Sequence, residues 1–463
     1  MKKNNEQPNF SKTTPSCNPH DGHSERLNAN LVRGSLWSIG GQAAPLVASM
    51  IATPFVIRLL GTESYGVLAL INVLIGYLGF ADIGMSSAST KFGAEANARG
   101  DTEEEVAVIW TALVINSIPV LLAAFLLAIM SRTIVEQLLD LPQSLQEPTI
   151  LALRISSLGF VARSISGVLN TPQLVRFRVD LYNSITASYN VAQISLVPVV
   201  LLLGLGLPGA VLLISFINFL MAVNMALISN KLLPFLRKPT LSIVLVKPLI
   251  TYGSAILLIV LISTVLTGTE KIVLVRFASV KALAYYSVAF TIAKLLNVLP
   301  GALSQSLFPA FSRLQVNTEK KSLKTMYSQC CRGLLLCLFL SATFICFFAQ
   351  PFLTTWAGAE YGRESIIPLY ILVMGCFFEG MSYVPSFLLQ AVGKPYMITY
   401  IQAAEILPYL LMTALLSSSF GAVGAAVAWS LRAIVESLVI FGLAARVLAS
   451  YSSTIVDRSY KVP

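Results

Sequence analysis

Long apolar segments follow one another along almost the whole chain. A helix needs about 20 mostly apolar residues to cross a lipid bilayer. Twelve segments reach this length, near residues 34–57, 64–90, 106–130, 149–170, 183–204, 208–230, 248–268, 283–309, 330–355, 365–390, 397–417 and 420–447. Such helices satisfy their own backbone hydrogen bonds in lipid, and the sequence lacks the alternating polarity of β-barrel strands. We therefore expect an all-α polytopic membrane protein with about 12 transmembrane helices.

The composition agrees with a chain that lies mostly in lipid. Hydrophobic residues make up 56% of the 463 residues and charged residues make up 12%, whereas soluble proteins average about 25% charged residues. The loops between the apolar segments are too short for a soluble domain. Residues 1–30 are polar, which predicts a disordered cytoplasmic tail. Residues 451–463 are expected to form a cytoplasmic C-terminal tail.

The net charge of +10 is distributed unevenly over the loops. If the segments cross the membrane in alternation, most Lys and Arg residues lie on the side that holds both chain ends. The other side holds six, namely Arg58, Arg132, Lys271, Arg276, Lys281 and Arg363. Loops rich in Lys and Arg remain in the cytoplasm. We therefore predict a membrane protein with both termini in the cytoplasm, and we do not assign the positive charge to nucleic-acid binding.

The second half of the chain repeats features of the first. The segment VIRLLGTESYG, which contains Arg58, aligns with LVRFASVKALA, which contains Arg276. At a slightly smaller offset, GLPGAVLLIS aligns with GAVGAAVAWS, so that Ser215 matches Ser430. Parallel repeats of this kind occur in transporters. The repeat predicts an N-lobe of six helices over residues 31–235 and a C-lobe of six helices over residues 236–450, with a central cavity between them.

Eight ionisable residues lie inside the predicted spans, away from the first and last few residues of each span. The acids are Asp82, Glu379, Glu405 and Glu436, and the bases are Arg154, Arg163, Lys294 and Arg432. Each charge costs about 2.5–3.5 kcal/mol at a helix centre on insertion scales, so a position that faces lipid is disfavoured. We expect these side chains to face a partner, a hydrated cavity or the membrane edge.

Structural interpretations remain open for these groups. Arg432 is four residues from a glutamate on the same helix face, and the two can neutralise each other. Arg154 lies a few residues inside its span and can extend to the outer surface. Glu405 can serve as a polar packing contact between helices. Arg163 and Lys294 lie deeper, and for them a cavity role and a structural role are equally open.

Asp82 stands near the cytoplasmic end of the second span, within ADIGMSSAST. The small and hydroxylated residues that follow it permit close helix contact and local backbone adjustment. Two interpretations stay open. Asp82 belongs to a gate or a proton or cation relay, or it pairs with an Arg or Lys of a neighbouring helix.

Two stretches carry a resemblance to a known family. Residues 58–101, RLLGTESYGVLALINVLIGYLGFADIGMSSASTKFGAEANARGD, contain Leu-Gly, Tyr-Gly and Asp-Ile-Gly, and residues 389–429 contain Gly-Lys and later Gly-Ala-Val-Gly-Ala. They resemble the polysaccharide transporter family, the Wzx-like oligosaccharide flippases. The resemblance implies a twelve-helix protein of the MOP superfamily, similar to MATE exporters and lipid II flippases. It also implies alternating-access transport of isoprenoid-diphosphate-linked oligosaccharide across the bacterial inner (cytoplasmic) membrane, for O-antigen, capsule or exopolysaccharide assembly.

The resemblance gives expected roles to the interior charges. An anionic diphosphate would be bound by Arg through paired hydrogen bonds and by Lys as a point charge. The residues expected to contact it are Lys294, Arg163, Arg276, Arg154 and Arg432. The residues expected to gate transport or couple it to H⁺ or Na⁺ are Asp82, Glu379 and Glu405. The expected partners are the lipid bilayer and the anionic lipid-linked oligosaccharide, with no cofactor and no metal site.

Two other functions stay open. The balance of four basic and four acidic interior residues also fits a MATE-type multidrug exporter coupled to H⁺ or Na⁺. An enzyme, such as a polytopic glycosyltransferase or polysaccharide polymerase, would need catalytic groups on a sizeable outer loop. The longest outer loop, residues 131–148, shows no such constellation, and the chain has no phosphate-binding glycine loop. We therefore expect a transporter rather than an enzyme.

Overall fold

The structure is a computed structural model that describes residues 44–139, 141–176, 178–301, 311 and 320–459. The predicted tail at residues 1–30 and the last residues of the C-terminal tail lie outside the described residues. The described chain is almost entirely helical. Its helices are α1 (Ala44–Leu60), α2 (Thr62–Leu78), α3 (Met85–Ala98), α4 (Thr102–Thr133), α5 (Gln143–Leu169), α6 (Thr171–Val175), α7 (Val179–Leu202), α8 (Gly206–Leu232), α9 (Ile243–Phe277), α10 (Val280–Ala293), α11 (Lys320–Trp356), α12 (Ala359–Glu364), α13 (Ile366–Ala391) and α14 (Tyr396–Ser459).

Ten helical segments in the described residues are long and apolar enough to cross a membrane. α1 is a shorter apolar helix. α14 is 64 residues long, and its backbone leaves the helical conformation at Gly421, where φ is 54° and ψ is −129°. The chain is thus a multi-pass membrane protein of the all-α class that the sequence predicts. The count of twelve spans and the cytoplasmic position of both termini stay predictions.

Large apolar side chains cover the outside of the helix bundle. Phe339 and Phe347 on α11 are 60% and 76% exposed, and Ile118 on α4 is 67% exposed. An exposed apolar surface of this extent fits contact with lipid rather than water. Other large side chains pack in the interior, where Trp429 and Tyr286 are almost completely buried.

The second helix of each half ends in a turn of 3-10 helix. α2 continues into the 3-10 helix Gly79–Asp82, and α10 continues into the 3-10 helix Lys294–Asn297. The two turns occupy equivalent positions when the halves are aligned so that Ser215 matches Ser430. After the first of these turns, Ile83 and Gly84 adopt left-handed backbone conformations with φ of 46° and 64°, and α3 then begins. The continuous span predicted for residues 64–90 is therefore broken into two helices.

A close helix contact at a glycine also repeats in the two halves. The Oγ of Ser215 on α8 donates to a carbonyl oxygen of α5 at 3.2 Å, and the Oγ of Ser430 on α14 donates to one of α13 at 2.8 Å. Gly159 and Gly375 lie against these serines, because a Cβ at either glycine would be 2.6 Å from the serine Oγ. The contacts match the sequence alignment of Ser215 with Ser430.

The two halves pack against each other along α2 and α3. Gly66 on α2 lies directly against the backbone of Val280, the first residue of α10. Further along the chain, a Cβ at Gly84 would be 2.6 Å from the carbonyl oxygen of Gly253 on α9. Between these points the hydroxyl of Tyr77 forms a hydrogen bond with a threonine of α9. The absence of side chains at these glycines permits the close approach.

α9 is longer than the sequence predicts. The apolar segment was expected near residues 248–268, whereas the helix covers Ile243–Phe277. The extension places Glu270 and Lys271 inside the helix rather than in an outer loop. A hydropathy window stops at the first adjacent charges, but a helix continues when those charges face the protein interior.

Candidate substrate-binding site

A cavity of about 270 Å³ lies inside the N-terminal half, between α1, α2, α5, α7 and α8. Its polar side chains include Asn72, Gln193, Asn218 and Arg163. The Nε2 of Gln193 donates to the Oδ1 of Asn218 at 2.7 Å. The described residues that line this cavity include no Asp or Glu, so the guanidinium of Arg163 brings a positive charge without a carboxylate partner. The cavity therefore suits an anionic ligand with hydroxyl groups.

A second cavity, of about 390 Å³, lies beside the first, where α2 faces α9 and α10. Its opposite wall comes from α9 and α10. Lys271 contributes the charge, and its Nζ lies 5.1 Å from the ring centre of Phe290. Tyr65, Leu68 and Asn72 line both cavities. These three residues lie on one face of α2, so the cavity of Arg163 and the cavity of Lys271 adjoin along that face.

Lys294 forms an ion pair within the C-terminal half. Its Nζ lies 2.8 Å from Oε1 and 2.6 Å from Oε2 of Glu379 on α13. Asn297 donates a further hydrogen bond to the same carboxylate. The sequence predicts Lys294 as a substrate contact and Glu379 as a residue of gating or ion coupling. The structure brings the two together from positions 85 residues apart.

Aromatic rings separate three basic side chains of the C-terminal half. The Nζ of Lys294 lies 5.3 Å from the ring centre of Phe290, which also contacts Lys271, and 4.8 Å from that of Trp429. Trp429 in turn lies 5.8 Å from the Cζ of Arg432. The rings of Phe290 and Trp429 meet edge to face, with centres 5.1 Å apart. Because a cation is attracted to the face of an aromatic ring, these rings hold three like charges in one region.

Arg432 is buried and is compensated by two carboxylates. Its Nη1 lies 3.1 Å from an oxygen of Glu436 and 3.8 Å from an oxygen of Glu405. Gln402 donates to the other oxygen of Glu436 at 2.9 Å. The pairing of Arg432 with Glu436 is one of the interpretations that their spacing left open. The carboxylate oxygens of Glu405 accept no hydrogen bond within the described residues.

Glu270 is completely buried, and the sequence analysis missed it. The hydroxyl of Tyr409 on α14 donates to its Oε2 at 3.0 Å, while its Oε1 has no partner in the part of the chain that the structure describes. The predicted span ended at residue 268, so this glutamate was assigned to a loop. The apolar sequence IVLV that follows Lys271 is the signal that could have extended the span.

Asp82 lies beside an amide of α4. In the amide orientation that satisfies both neighbours, the nitrogen of Asn116 donates to Oδ1 of Asp82 at 2.8 Å, and its oxygen accepts from Ser164 at 3.0 Å. This partner is an amide, not the Arg or Lys of the alternative interpretation. In the C-terminal half, the repeat puts Asn297 at the position of Asp82 and Glu379 at the position of Ser164. Each half thus places one carboxylate beside one amide.

Arg154 and Arg276 lie outside both cavities. Both side chains are exposed. The Nε of Arg154 donates to the hydroxyl of Ser131 at 3.2 Å, and Arg276 lies in the last turn of α9. The structure does not bring them to Arg163 or Lys294, and their contact with a substrate stays a prediction.

The sequence also does not predict the ion pair between Arg176 and Glu105, because both residues were assigned to loops. The Nη1 and Nη2 of Arg176, which follows α6, lie 2.6 and 3.1 Å from the two oxygens of Glu105 on α4. Glu105 is completely buried. Paired hydrogen bonds of this geometry are strong and directional. The pair fastens α4 to α6 at the end of the bundle that is predicted to face the cytoplasm.

Two solved membrane transporters have a similar fold. The structure of the lipid II flippase MurJ in an inward closed conformation has a TM-score of 0.74 at 14% identity, covering 89% of this chain and 87% of that chain. An inward-facing multidrug resistance MATE family transporter of the MOP superfamily has a TM-score of 0.71 at 15% identity, covering 89% and 98%. The chain therefore shares the helical fold of these two proteins, which is the fold class that the sequence predicts.

The sequence assigns the chain to a family within this class. Residues 55–366 match the family described as "Polysaccharide biosynthesis protein", and the chain belongs to that family. A relative from Shigella flexneri named "Putative O-antigen transporter" is 25% identical over 436 residues, which cover 92% of this chain and 100% of the relative. The resemblance to polysaccharide transporters is confirmed.

Proposed function

We propose that the protein is a flippase in the cytoplasmic membrane of a bacterium. It carries isoprenoid-diphosphate-linked oligosaccharide from the inner to the outer leaflet, for O-antigen, capsule or exopolysaccharide assembly. The observation that carries this proposal is the cavity around Arg163, where a guanidinium without a carboxylate partner among the described lining residues lies among carboxamides and hydroxyls. The family match supports the role in polysaccharide biosynthesis.

The chemistry of the cavity suits this substrate. A guanidinium binds phosphate oxygens through two parallel hydrogen bonds. Asn72, Gln193 and Asn218 offer donors and acceptors that match sugar hydroxyl groups. The cavity lies within the membrane-spanning part of α2 and α5, so it shelters charge from lipid. Arg163 is therefore our first candidate for diphosphate binding.

Lys294 is the second candidate, at a different stage of the cycle. In this conformation Glu379 neutralises it. A diphosphate that approaches Lys294 would compete with that carboxylate. Binding of the diphosphate would therefore be coupled to release of Glu379 from Lys294. Arg432 is already neutralised by Glu436 and Glu405, and its role would need the same exchange. Contacts of Arg154 and Arg276 belong to steps in which the substrate enters or leaves.

Transport would proceed by alternating access. The N-lobe, residues 31–235, would rock against the C-lobe, residues 236–450. Asp82, Glu379 and Glu405 are the residues proposed to gate this motion or to couple it to H⁺ or Na⁺. The carboxylate oxygens of Glu405 accept no hydrogen bond from the described residues, which makes Glu405 the clearest acceptor for a proton or cation among them. We propose no catalytic residue and no enzymatic activity.

A cation-coupled multidrug exporter is the second candidate. It is favoured by the region around Trp429, where Glu270, Glu379, Glu405 and Glu436 outnumber Lys271, Lys294 and Arg432. An acidic region of this kind would suit cationic cargo. The anion-binding cavity around Arg163 favours the flippase, since a cationic drug would be repelled there.

The test is reconstitution of the purified protein in liposomes. A polyprenyl-diphosphate-linked oligosaccharide with a fluorescent sugar is placed in both leaflets, and a membrane-impermeant quencher reports which leaflet it occupies. Movement between leaflets that depends on the protein is expected. In cells, deletion of the gene should remove surface polysaccharide and trap lipid-linked repeat units in the inner leaflet. Intact surface polysaccharide together with sensitivity to cationic dyes would support the exporter instead.

A further inference from the structure

We propose that the isoprenoid tail of the substrate lies in an apolar groove between α1 and α7, on the outside of the N-terminal half. This inference rests on the proposed function, because it requires a substrate with a charged head and a long apolar tail. The groove has a volume of about 740 Å³. It is lined by Ala44, Val47, Ala48, Ile51, Ala52, Phe55, Val191, Ser195 and Pro198.

The shape of the groove comes from a strip of small side chains on α1. Ala44, Ala48 and Ala52 repeat every four residues and therefore lie on one face of the helix. Val47 and Ile51 flank the strip and are 58% and 64% exposed. A channel with small residues at its floor and large apolar residues at its sides accommodates a flexible hydrocarbon chain. The apolar surface that the chain would bury supplies the binding free energy.

The groove adjoins the cavity of Arg163 across the same two helices. Ala52 lines both spaces. On α7, Gln193 faces the cavity, whereas Ser195 and Pro198 line the groove. A diphosphate at Arg163 and a tail in the groove would thus lie on the two sides of one boundary. This is the arrangement that an amphiphile needs, because its head must avoid lipid while its tail remains in it.

Described residues of the two halves are in contact near the ends of α1 and α2 that are predicted to face outward. Gly66 packs against the backbone at the start of α10. On the other side, the Nε1 of Trp356 on α11 donates to the carbonyl oxygen of Met50 on α1 at 2.7 Å, and Arg58 donates to that of Thr355 at 3.1 Å. These contacts obstruct a path between the halves at that end, whereas the groove of α1 and α7 lies directly beside the cavity of Arg163.

The C-terminal half offers a matched control groove of about 470 Å³. It is lined by Leu295, Leu296, Leu340, Ser341, Phe344 and Ile345, and it follows Lys294 in the sequence. It is apolar and faces the same bilayer. A lipid that merely coats the protein would occupy both grooves, whereas the tail of a substrate bound at Arg163 would occupy only the groove of α1 and α7.

The first experiment uses the unaltered protein in lipid nanodiscs. A long-chain polyprenyl diphosphate with a photoreactive group on its tail is added, irradiated and located by mass spectrometry of the peptides. Label on residues 44–55 and 191–198, which excess unlabelled polyprenyl diphosphate removes, is expected. Label on residues 340–345 instead, or label on both grooves that competition does not remove, would overturn the proposal.

The second experiment fills the groove. Ala48→Trp should weaken binding of long-chain polyprenyl diphosphate about tenfold or more, since each buried methylene that is displaced contributes to affinity. Binding of geranyl diphosphate, which has the head but a short tail, should be unchanged, and this result also shows that the variant is folded. Ser341→Trp should change neither affinity. If Ala48→Trp leaves long-chain binding intact, the groove assignment is wrong while the flippase proposal stands. If the unaltered protein neither binds nor moves the lipid-linked substrate, the proposed function itself is wrong.

Discussion

Lys294 and Glu379 face each other at hydrogen-bonding distance inside the C-terminal half, with Nζ 2.6 Å from the nearer carboxylate oxygen. Their side chains are 29% and 23% exposed, so water reaches both. An ion pair that is open to water can exchange one partner for an arriving anion at lower cost than a dry pair. The pair is therefore suited to a step that opens and closes during a transport cycle.

Glu379→Gln should stop transport and lower stability. The substitution leaves the ammonium of Lys294 without its counter-charge, and the loss should be smaller than the ~3–5 kcal/mol of a fully buried pair because both groups are partly exposed. Thermal unfolding in detergent and leaflet exchange in liposomes provide the two measurements. The double variant with Lys294→Met should regain stability and remain inactive. Recovery of transport in the double variant would show that the charges have no role beyond folding.

Arg163→Ala should weaken binding of geranyl diphosphate by about tenfold, because one charge-assisted interaction is lost. Stability should change little, since the side chain is exposed to the cavity and has no carboxylate partner among the described residues there. Isothermal calorimetry on the purified protein measures the affinity. Arg363→Ala, at an exposed position of α12, is the matched loss of one charge and should bind normally. Equal weakening in both variants would mean that only net charge matters.

Asp82→Asn should slow transport without unfolding the protein. The new side chain can still form a hydrogen bond with Asn116, whose amide can turn to present either atom, but it can no longer carry a negative charge or bind a proton. Rates of leaflet exchange are measured over a range of pH values and membrane potentials. A variant that matches the unaltered protein under all of these conditions would falsify the role of Asp82 in gating or ion coupling.

Gly84→Ala and Gly79→Ala form a matched pair across the break between α2 and α3. Gly84 has φ of 64° and no room for a Cβ, whereas Gly79 has helical dihedrals and open space around it. Gly84→Ala should lower stability by about 1–3 kcal/mol. Gly79→Ala should be neutral or slightly stabilising. A similar unfolding temperature for both variants would show that the contact of Gly84 with α9 contributes nothing.

The sequence predicts interactions between neighbours on one helix, but not those between distant helices. Arg432 and Glu436 are four residues apart, and spacing alone pointed to their pairing. Lys294 and Glu379 are found on different helices, and no local pattern links them. Their encounter depends on how α10 and α13 pack, which is decided by the shapes of many apolar side chains at once.

The apolar pattern predicts the class of fold well, because each span must satisfy its own backbone in lipid. It places the ends of helices less well. Glu105 and Glu270 are completely buried, yet both lie beyond the apolar segments and were assigned to loops. A hydropathy average counts a charge as polar wherever it points, so it ends a span at charges that the folded protein neutralises inside.

A reducible covalent cross-link between α2 and α10 should stop transport. Glu63 and Lys281 stand at the starts of these helices, 3.4 Å apart between charged atoms, on the side predicted to face outward. With cysteines at both positions, a disulfide-containing bifunctional thiol reagent should stop transport, and reduction should restore it. The single-cysteine variants treated in the same way are the controls. Continued transport by the linked protein would show that the two helices do not separate there.

Because Tyr65, Leu68 and Asn72 line both the cavity of Arg163 and the cavity of Lys271, the two compartments adjoin along one face of α2. A slight roll of that helix would enlarge one compartment at the expense of the other. A ligand that fills one compartment would therefore change the volume of the other directly, through α2, without movement of the rest of the helix bundle. The volume of the bound substrate, independently of its charge, would then influence which of the two cavities enlarges.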